Sequence, residues 1–238
     1  MPFNIGGVIY NAAQADLQDY KNIITRGLVL QLDASALESY PKSGTLWYDL
    51  KSNSYGSLTN GPTYNSGNDG YISFDGTNDY VTSFGNAIVP SGSNSYTIST
   101  WVYRNRNNVG YEEILAQWTS ANSGNSFFFG FDGSNVRFCD NWNPITVSGA
   151  GNTNVWMNLV GVNLGGSNAF IYLNGALSAT KGSGLGYTGT GPFLIGKQGE
   201  LNSEYFGGNI SSVLVYNRAL SSTEILQNYN IQKGRFGL

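Results

Sequence analysis

The sequence predicts an all-β protein: two antiparallel sheets packed face to face as a jelly-roll sandwich, with a short C-terminal helix and an N-terminal arm. Three observations predict it. Apolar and polar residues alternate over short runs, as in Tyr96-Thr97-Ile98-Ser99-Thr100-Trp101-Val102-Tyr103, which sends successive side chains to opposite faces of a strand. The runs stop at turn dipeptides such as Asp75-Gly76, Asp132-Gly133 and Asn174-Gly175, whose residues accept the positive φ of tight turns. Charged residues are only 11% of the 238, while Gly (32), Tyr (16) and Phe (12) are abundant, which suits strands and turns rather than helices with charged outer faces.

Residues 1–26 differ in character from the rest of the chain. They lack strand alternation, yet Phe3, Ile5, Val8, Ile9, Tyr10, Ile23 and Ile24 are too apolar for a freely solvated tail. They are read as a docking arm, the alternative being a frayed terminus without a role. The domain proper is placed at 27–238 and opens with the strand Leu28-Val29-Leu30-Gln31-Leu32. Tyr71 to Phe74 and Tyr96 to Tyr103 come next, the second with Tyr96, Ile98, Thr100 and Val102 on one face. Ser126 to Phe131 and Asn135 to Phe138 form a hairpin across Asp132-Gly133. Trp156 to Val162 pairs with Ala169 to Leu173 across Gly165-Gly166, and Asn174-Gly175 makes the next turn. Phe193 to Gly196 and Ile210 to Tyr216 complete a set of about ten to twelve strands. Ser221, three residues before Glu224, is a capping box that starts the terminal helix.

Composition excludes several functions. A net charge of −3 with scattered basic residues gives no footprint for nucleic acid. There is no histidine and one cysteine, Cys139, so His/Cys zinc sites, Ser-His-Asp and Cys-His catalysis and internal disulfides are out. Cys139 is read as a small half-buried strand residue. No window approaches the ~20 apolar residues of a membrane span. The N-terminal stretch carries no basic leader or apolar signal run.

Two kinds of binding site remain. Stacking on a sugar needs an exposed aromatic face with amides beside it; Trp142, flanked by Asn141 and Asn143, has this setting, and Trp118 is second. Trp142 can equally cap the end of the sandwich, and Trp47, Trp101 and Trp156 are read as packing residues. Asp75, Asn78 and Asp79, with Asp132 and Asn135 as a further pair, offer hard oxygens for calcium. The same residues are ordinary in turns that bond their own backbone. No cofactor is required; Ca²⁺ is an option.

The segments Phe74-Asp75-Gly76-Thr77-Asn78-Asp79-Tyr80-Val81, Tyr96 to Val102, the Trp156 to Gly175 hairpin and the closing run from Tyr216-Asn217-Arg218-Ala219-Leu220-Ser221 to Glu224-Ile225 resemble, in order, laminin G-like domains of the concanavalin A-like lectin/glucanase superfamily. That resemblance implies a lectin-like sandwich. Many relatives carry an aspartate where this chain has Ser211, which weakens a metal site built on that carboxylate. A hydrolase of the superfamily would carry a Glu-x-Asp-x-x-Glu strand, and none is present. The carboxylates Glu112, Glu113, Glu200 and Glu204 are read as solvated charges, with Glu112 and Glu113 facing opposite sides of any strand. No catalytic residue is assigned and the chain is not expected to be an enzyme.

The opening Phe3-Asn4-Ile5-Gly6-Gly7 and the closing Lys233-Gly234-Arg235-Phe236-Gly237-Leu238 further resemble structural proteins of tailed bacteriophages, especially those of cyanobacteria. That implies a virion-surface protein, a capsid decoration or a head, neck or tail fibre. Its implied partners are the major capsid, neck or tail protein, further copies of itself as a homo-oligomer, with a trimer the commonest fibre arrangement, and a host-surface glycan. The alternatives are a bacterial carbohydrate-binding module and a glycoside hydrolase of the same fold.

Overall fold

The computed structural model describes residues 3–5, 8–10, 22–82, 84–85, 88–107, 110–118, 126–140, 143–186, 191–199 and 203–238. Trp142, Asn141 and Glu200 lie outside them. In chain order the strands begin with β1 (Phe3–Ile5) and β2 (Val8–Tyr10), then β3 (Leu28–Asp33), β4 (Leu46–Tyr48), β5 (Tyr55–Thr59) and β6 (Thr63–Asn65). Next come β7 (Tyr71–Asp75), β8 (Tyr80–Thr82), β9 (Tyr96–Arg104), β10 (Tyr111–Trp118), β11 (Ser126–Asp132), β12 (Asn135–Asp140) and β13 (Asn143–Val147). The last are β14 (Trp156–Leu164), β15 (Asn168–Leu173), β16 (Ala176–Lys181), β17 (Phe193–Ile195) and β18 (Gly207–Tyr216), and helix α1 (Ser222–Gln232) comes after them.

They build two antiparallel eight-stranded sheets. The first runs β13-β12-β11-β10-β17-β8-β5-β4; the second runs β16-β15-β14-β9-β18-β7-β6, with β3 added along β18. The strand count exceeds the expected ten to twelve in part because β4, β6 and β8 are three residues each, too short to show a period of two. β1 and β2 pair with each other in a separate two-stranded sheet, so the arm holds a hairpin that its missing alternation did not announce.

Between the sheets, Phe127, Phe129, Phe131, Val136 and Phe138 meet Leu30, Leu32, Ile72, Ile98, Leu159, Ile171 and Val213 in one core. The odd-numbered phenylalanines of β11 face inward because the strand alternates. The expected hairpins form, Gly161 opposite Ile171 and Gly130 opposite Arg137. Asn174 and Gly175 both have positive φ, 50° and 78°, the two left-handed residues that this tight turn requires.

A second apolar cluster lies on the outer side of the second sheet, where Val160, Val162, Tyr172, Leu214 and Tyr216 are covered by Leu220 and Ile225. Ile23 and Leu28 complete it. Helix α1 begins with the expected capping box, Ser221 and Glu224 bonding each other's backbone amides. The turn after the helix lays Phe236 on Trp101, ring centroids 4.1 Å apart, while Trp101 Nε1 donates to Gln232 Oε1 at 2.8 Å. Residues 22–26, read from sequence as arm, are stitched to the sandwich. Ile23 is buried, the Ile24 amide donates to Asn228 Oδ1, and Arg218 Nε donates to the Arg26 carbonyl.

Candidate functional site

The register brings residues proposed for sugar contact to one end of the first sheet. Trp118 ends β10 opposite Ser126, which starts β11; Phe127 sits opposite Asp140, and Asp140 opposite Asn143, which starts β13. The strand ends that flank 119–125 and 141–142 therefore lie side by side. Asn143 is exposed and its carbonyl accepts a bond from Lys181 Nζ at 3.0 Å. A third segment arrives at the same place, because the Gly186 amide donates to Asp140 Oδ2. Asp140 is buried, and its Oδ1 has no partner among the described residues. A shielded carboxylate oxygen with an open lone pair suits a hydroxyl donor. Sequence reading missed Asp140, since a lone aspartate before Asn-Trp-Asn looks like any turn residue.

The carboxylates Glu112 and Glu113, read as solvated charges, are instead buried. Both are 0% exposed and do face opposite sides of β10. Glu112 points between the sheets and accepts from Arg104 Nε and Arg106 Nε, each at 2.6 Å, and from the Gly207 amide at 3.1 Å. Arg104, itself 0% exposed, lies 4.3 Å over the Phe131 ring and donates to the Gly133 and Gly151 carbonyls. A buried charge persists only when paired and hydrogen-bonded, and strand pairing supplies partners that no local pattern reveals.

On the outward side, Glu113, Gly130 and Arg137 form one row across β10, β11 and β12. Gly130 makes room for the pair: a Cβ there would stand 2.9 Å from Glu113 Oε2. Arg137 bonds Glu113 Oε1, approaches Glu204 Oε2 at 4.0 Å and is roofed by the exposed Tyr111 ring at 4.2 Å. Burial pushes the Glu113 carboxyl up to about 8; Arg137 opposes the shift and Glu204 adds to it. Glu204, chiefly through burial, is raised as well. Both carboxyls converge on the same Arg137 nitrogen, whereas a retaining glycosidase holds its two carboxyls ~5 Å apart with a sugar between them. Next along the same face, Cys139 packs on Ala116 and Phe128, its thiol pushed up to about 12 by burial.

The calcium candidates form a self-bonded turn. Asp75 Oδ1 accepts from the amides of Thr77, Asn78 and Asp79 at 2.7, 3.2 and 3.4 Å, and Asp79 Oδ2 accepts from the Asp75 amide at 3.0 Å. Burial would raise Asp75, but those three amides and Arg106 bring it below the usual carboxylate range. Asp79 is raised, mainly by burial. Asn135 Oδ1 is likewise taken by the Gly149 amide. Among the described residues no group of three or more His, Cys, Asp or Glu side chains is arranged to hold a metal ion. No helix there is long and apolar enough to cross a membrane.

A two-sheet antiparallel sandwich with one short C-terminal helix and its ends of sheet available to loops defines a lectin-like domain. Residues 75–226 match the family model described as the concanavalin A-like lectin/glucanases superfamily, and the chain belongs to that family. Among solved structures it is similar to the binding domain of Paraclostridial Mosquitocidal Protein 1, at 18% identity over 86% of this chain and 52% of that one, TM-score 0.66. It is also similar to domain 4 of AbnA, a GH43 extracellular arabinanase from Geobacillus stearothermophilus, in complex with arabinotriose, at 16% identity over 85% of this chain and 98% of that domain, TM-score 0.65. A Trypanosoma rangeli sialidase in complex with sialic acid matches at 16% identity over 94% of this chain, TM-score 0.66. The chain spans about half of the mosquitocidal binding domain and 38% of the sialidase. No curated protein sequence matches it.

Proposed function

We propose that this chain is a non-enzymatic structural and adhesion protein on the surface of a phage particle, held by its N-terminal arm and presenting one rim of the sandwich to host-surface glycans. The observation that carries the adhesion is the convergence of the ends of β10, β12 and β13, which bring Trp118 and Asn143 to the rim where Asp140 Oδ1 has no partner among the described residues. The particle location is supported by the resemblance of the opening and closing segments to phage structural proteins. Capsid, neck or tail protein receives the arm, through Phe3, Ile5, Val8, Ile9 and Tyr10. One aromatic platform binds a sugar weakly, on the order of millimolar, because few contacts offset the lost translational freedom. Useful adhesion therefore comes from several copies, as a trimer or an array, which add ~10² to 10⁴ in avidity without a new contact.

Catalysis is not part of this reading. Glu112 is spent on two arginines, and Glu113 and Glu204 converge on a third, Arg137. The likeness to an arabinanase domain favours a second reading, a carbohydrate-binding module of a bacterial enzyme. Mass spectrometry of purified virions separates the two: the chain is recovered in stoichiometric amounts from particles, and its absence from them refutes the virion location.

A further inference from the structure

We propose that Glu113 and Glu204 share one proton and together form a pH-sensitive latch that fastens residues 203–206 to the outward face of the first sheet. Each carboxyl leaves a buried Oε2 without a donor among the described residues, and both carboxyls converge on the same Arg137 nitrogen, Glu204 Oε2 at 4.0 Å from it. Two carboxyls sharing one site repel each other when both are ionised and are held together when one of them carries a proton. A single cation, Arg137, serves both acids. With one proton bound, the trio of two carboxyls and one guanidinium is neutral. Loss of that proton to solvent leaves one uncompensated negative charge in a dry place, and moving Glu204 into water relieves it.

Among the described residues the surroundings supply no second cation. From β12 the pair faces Arg137 and then Cys139, near which are Asp140 and Lys181, neither of which acts on Glu113 or Glu204; from β10 it faces Tyr111, which lies over Arg137. β11 contributes Gly130 and Phe128, neither of which titrates. Tyr205 is next to Glu204 in the chain, and Lys197 is engaged over the Tyr205 and Tyr80 rings, 5.5 and 4.7 Å away. Glu112 is on the other side of β10 with Arg104 and Arg106. The segment being fastened also bonds through its backbone: the Glu113 amide donates to the Glu204 carbonyl at 2.9 Å, and the Phe206 amide to the Gly196 carbonyl at 2.9 Å. These bonds make the latch local, so its opening frees a short connection while the sheets stay paired.

The Glu113 carboxyl, near 4.5 when solvated, is raised to about 8 in the closed state. A raised acid binds its proton more tightly when closed. The stabilisation is therefore complete below about 4.5 and is lost as pH rises through about 8. A group titrating near 4.5 when open and about 8 when closed makes opening about 50-fold more favourable at pH 8 than at pH 6. Gln in place of either Glu keeps a neutral hydrogen-bonding partner and removes the titration.

The test is carried out on the full chain with ¹³C-carboxyl-labelled glutamate, by NMR titration and by hydrogen exchange of the peptide covering residues 203–206, corrected for the intrinsic rate. One glutamate carboxyl should titrate near pH 8, and the corrected exchange should rise about 50-fold from pH 6 to 8. Glu113→Gln and Glu204→Gln should each abolish that resonance shift and flatten the exchange profile. The proposal is overturned if no glutamate in the wild type titrates above pH 6, a result readable even if a variant does not fold. It is equally overturned if either folded variant keeps the wild-type exchange profile. The glycan reading plays no part in this outcome.

Discussion

Replacing Glu112 by Gln tests whether the buried carboxylate is the counterion that holds the interior together. Glu112 and Arg104 are both 0% exposed, and the carboxylate receives Arg104, Arg106 and the Gly207 amide. Gln keeps the volume but withdraws the charge, leaving the Arg104 guanidinium buried against Phe131 with two carbonyls as its remaining acceptors. Removing one partner of a buried ion pair costs about 3–5 kcal/mol. Arg106 is about one third exposed and turns to water, so its share of the loss is small. At ~2–4 °C per kcal/mol for a domain of this size, the melting temperature should fall by roughly 6–20 °C. Guanidinium unfolding monitored by tryptophan fluorescence gives the same quantity as a midpoint shift at constant slope. The double variant Glu112→Leu with Arg104→Met should recover most of the loss, because an apolar pair of similar volume is often as stable as the buried ions it replaces. A Glu112→Gln variant within about 1 kcal/mol of wild type would refute the counterion assignment.

Two further outcomes are expected from the geometry. Deleting residues 1–21 should leave a folded sandwich that no longer joins the particle, whereas deleting 1–26 should also cost about 1.5–3 kcal/mol, because it removes the buried Ile23 and the Ile24 bond to Asn228; normal incorporation of the shorter deletion contradicts the docking role. Adding Ca²⁺ or a chelator should move the melting temperature by less than about 1 °C, because Asp75 and Asp79 already accept backbone amides; a concentration-dependent rise would show that the turn opens to a cation.

Much of the fold was legible because sheets announce themselves locally. The alternation in β9 sent Ile98 and Val102 into the core and Trp101 outward, and Asn174-Gly175 marked its turn. The terminal helix was legible through its capping box. What stayed hidden depends on pairing across distance. The charges of Glu112 and Glu113 looked solvated because Arg104, Arg106 and Arg137 reach them from 8, 6 and 24 residues away. The same holds for the arm's boundary: Ile23 looks like part of an apolar tail until Tyr216, Asn228 and Arg218 are seen to hold its neighbours. Trp118 and Asn143 were picked one by one for their chemistry, and only the register of β10 to β13 places them at one rim with Asp140.

Glycan-array binding of the wild-type chain displayed in many copies, set beside Trp142→Ala in the same format, tests the adhesion most directly. The wild type should bind a defined set of glycans, and Trp142→Ala should lose at least about tenfold of that signal, the worth of a modest aromatic contact, with circular dichroism and melting unchanged. An array with no bound glycan, or a variant that folds normally and binds as well as wild type, contradicts the account.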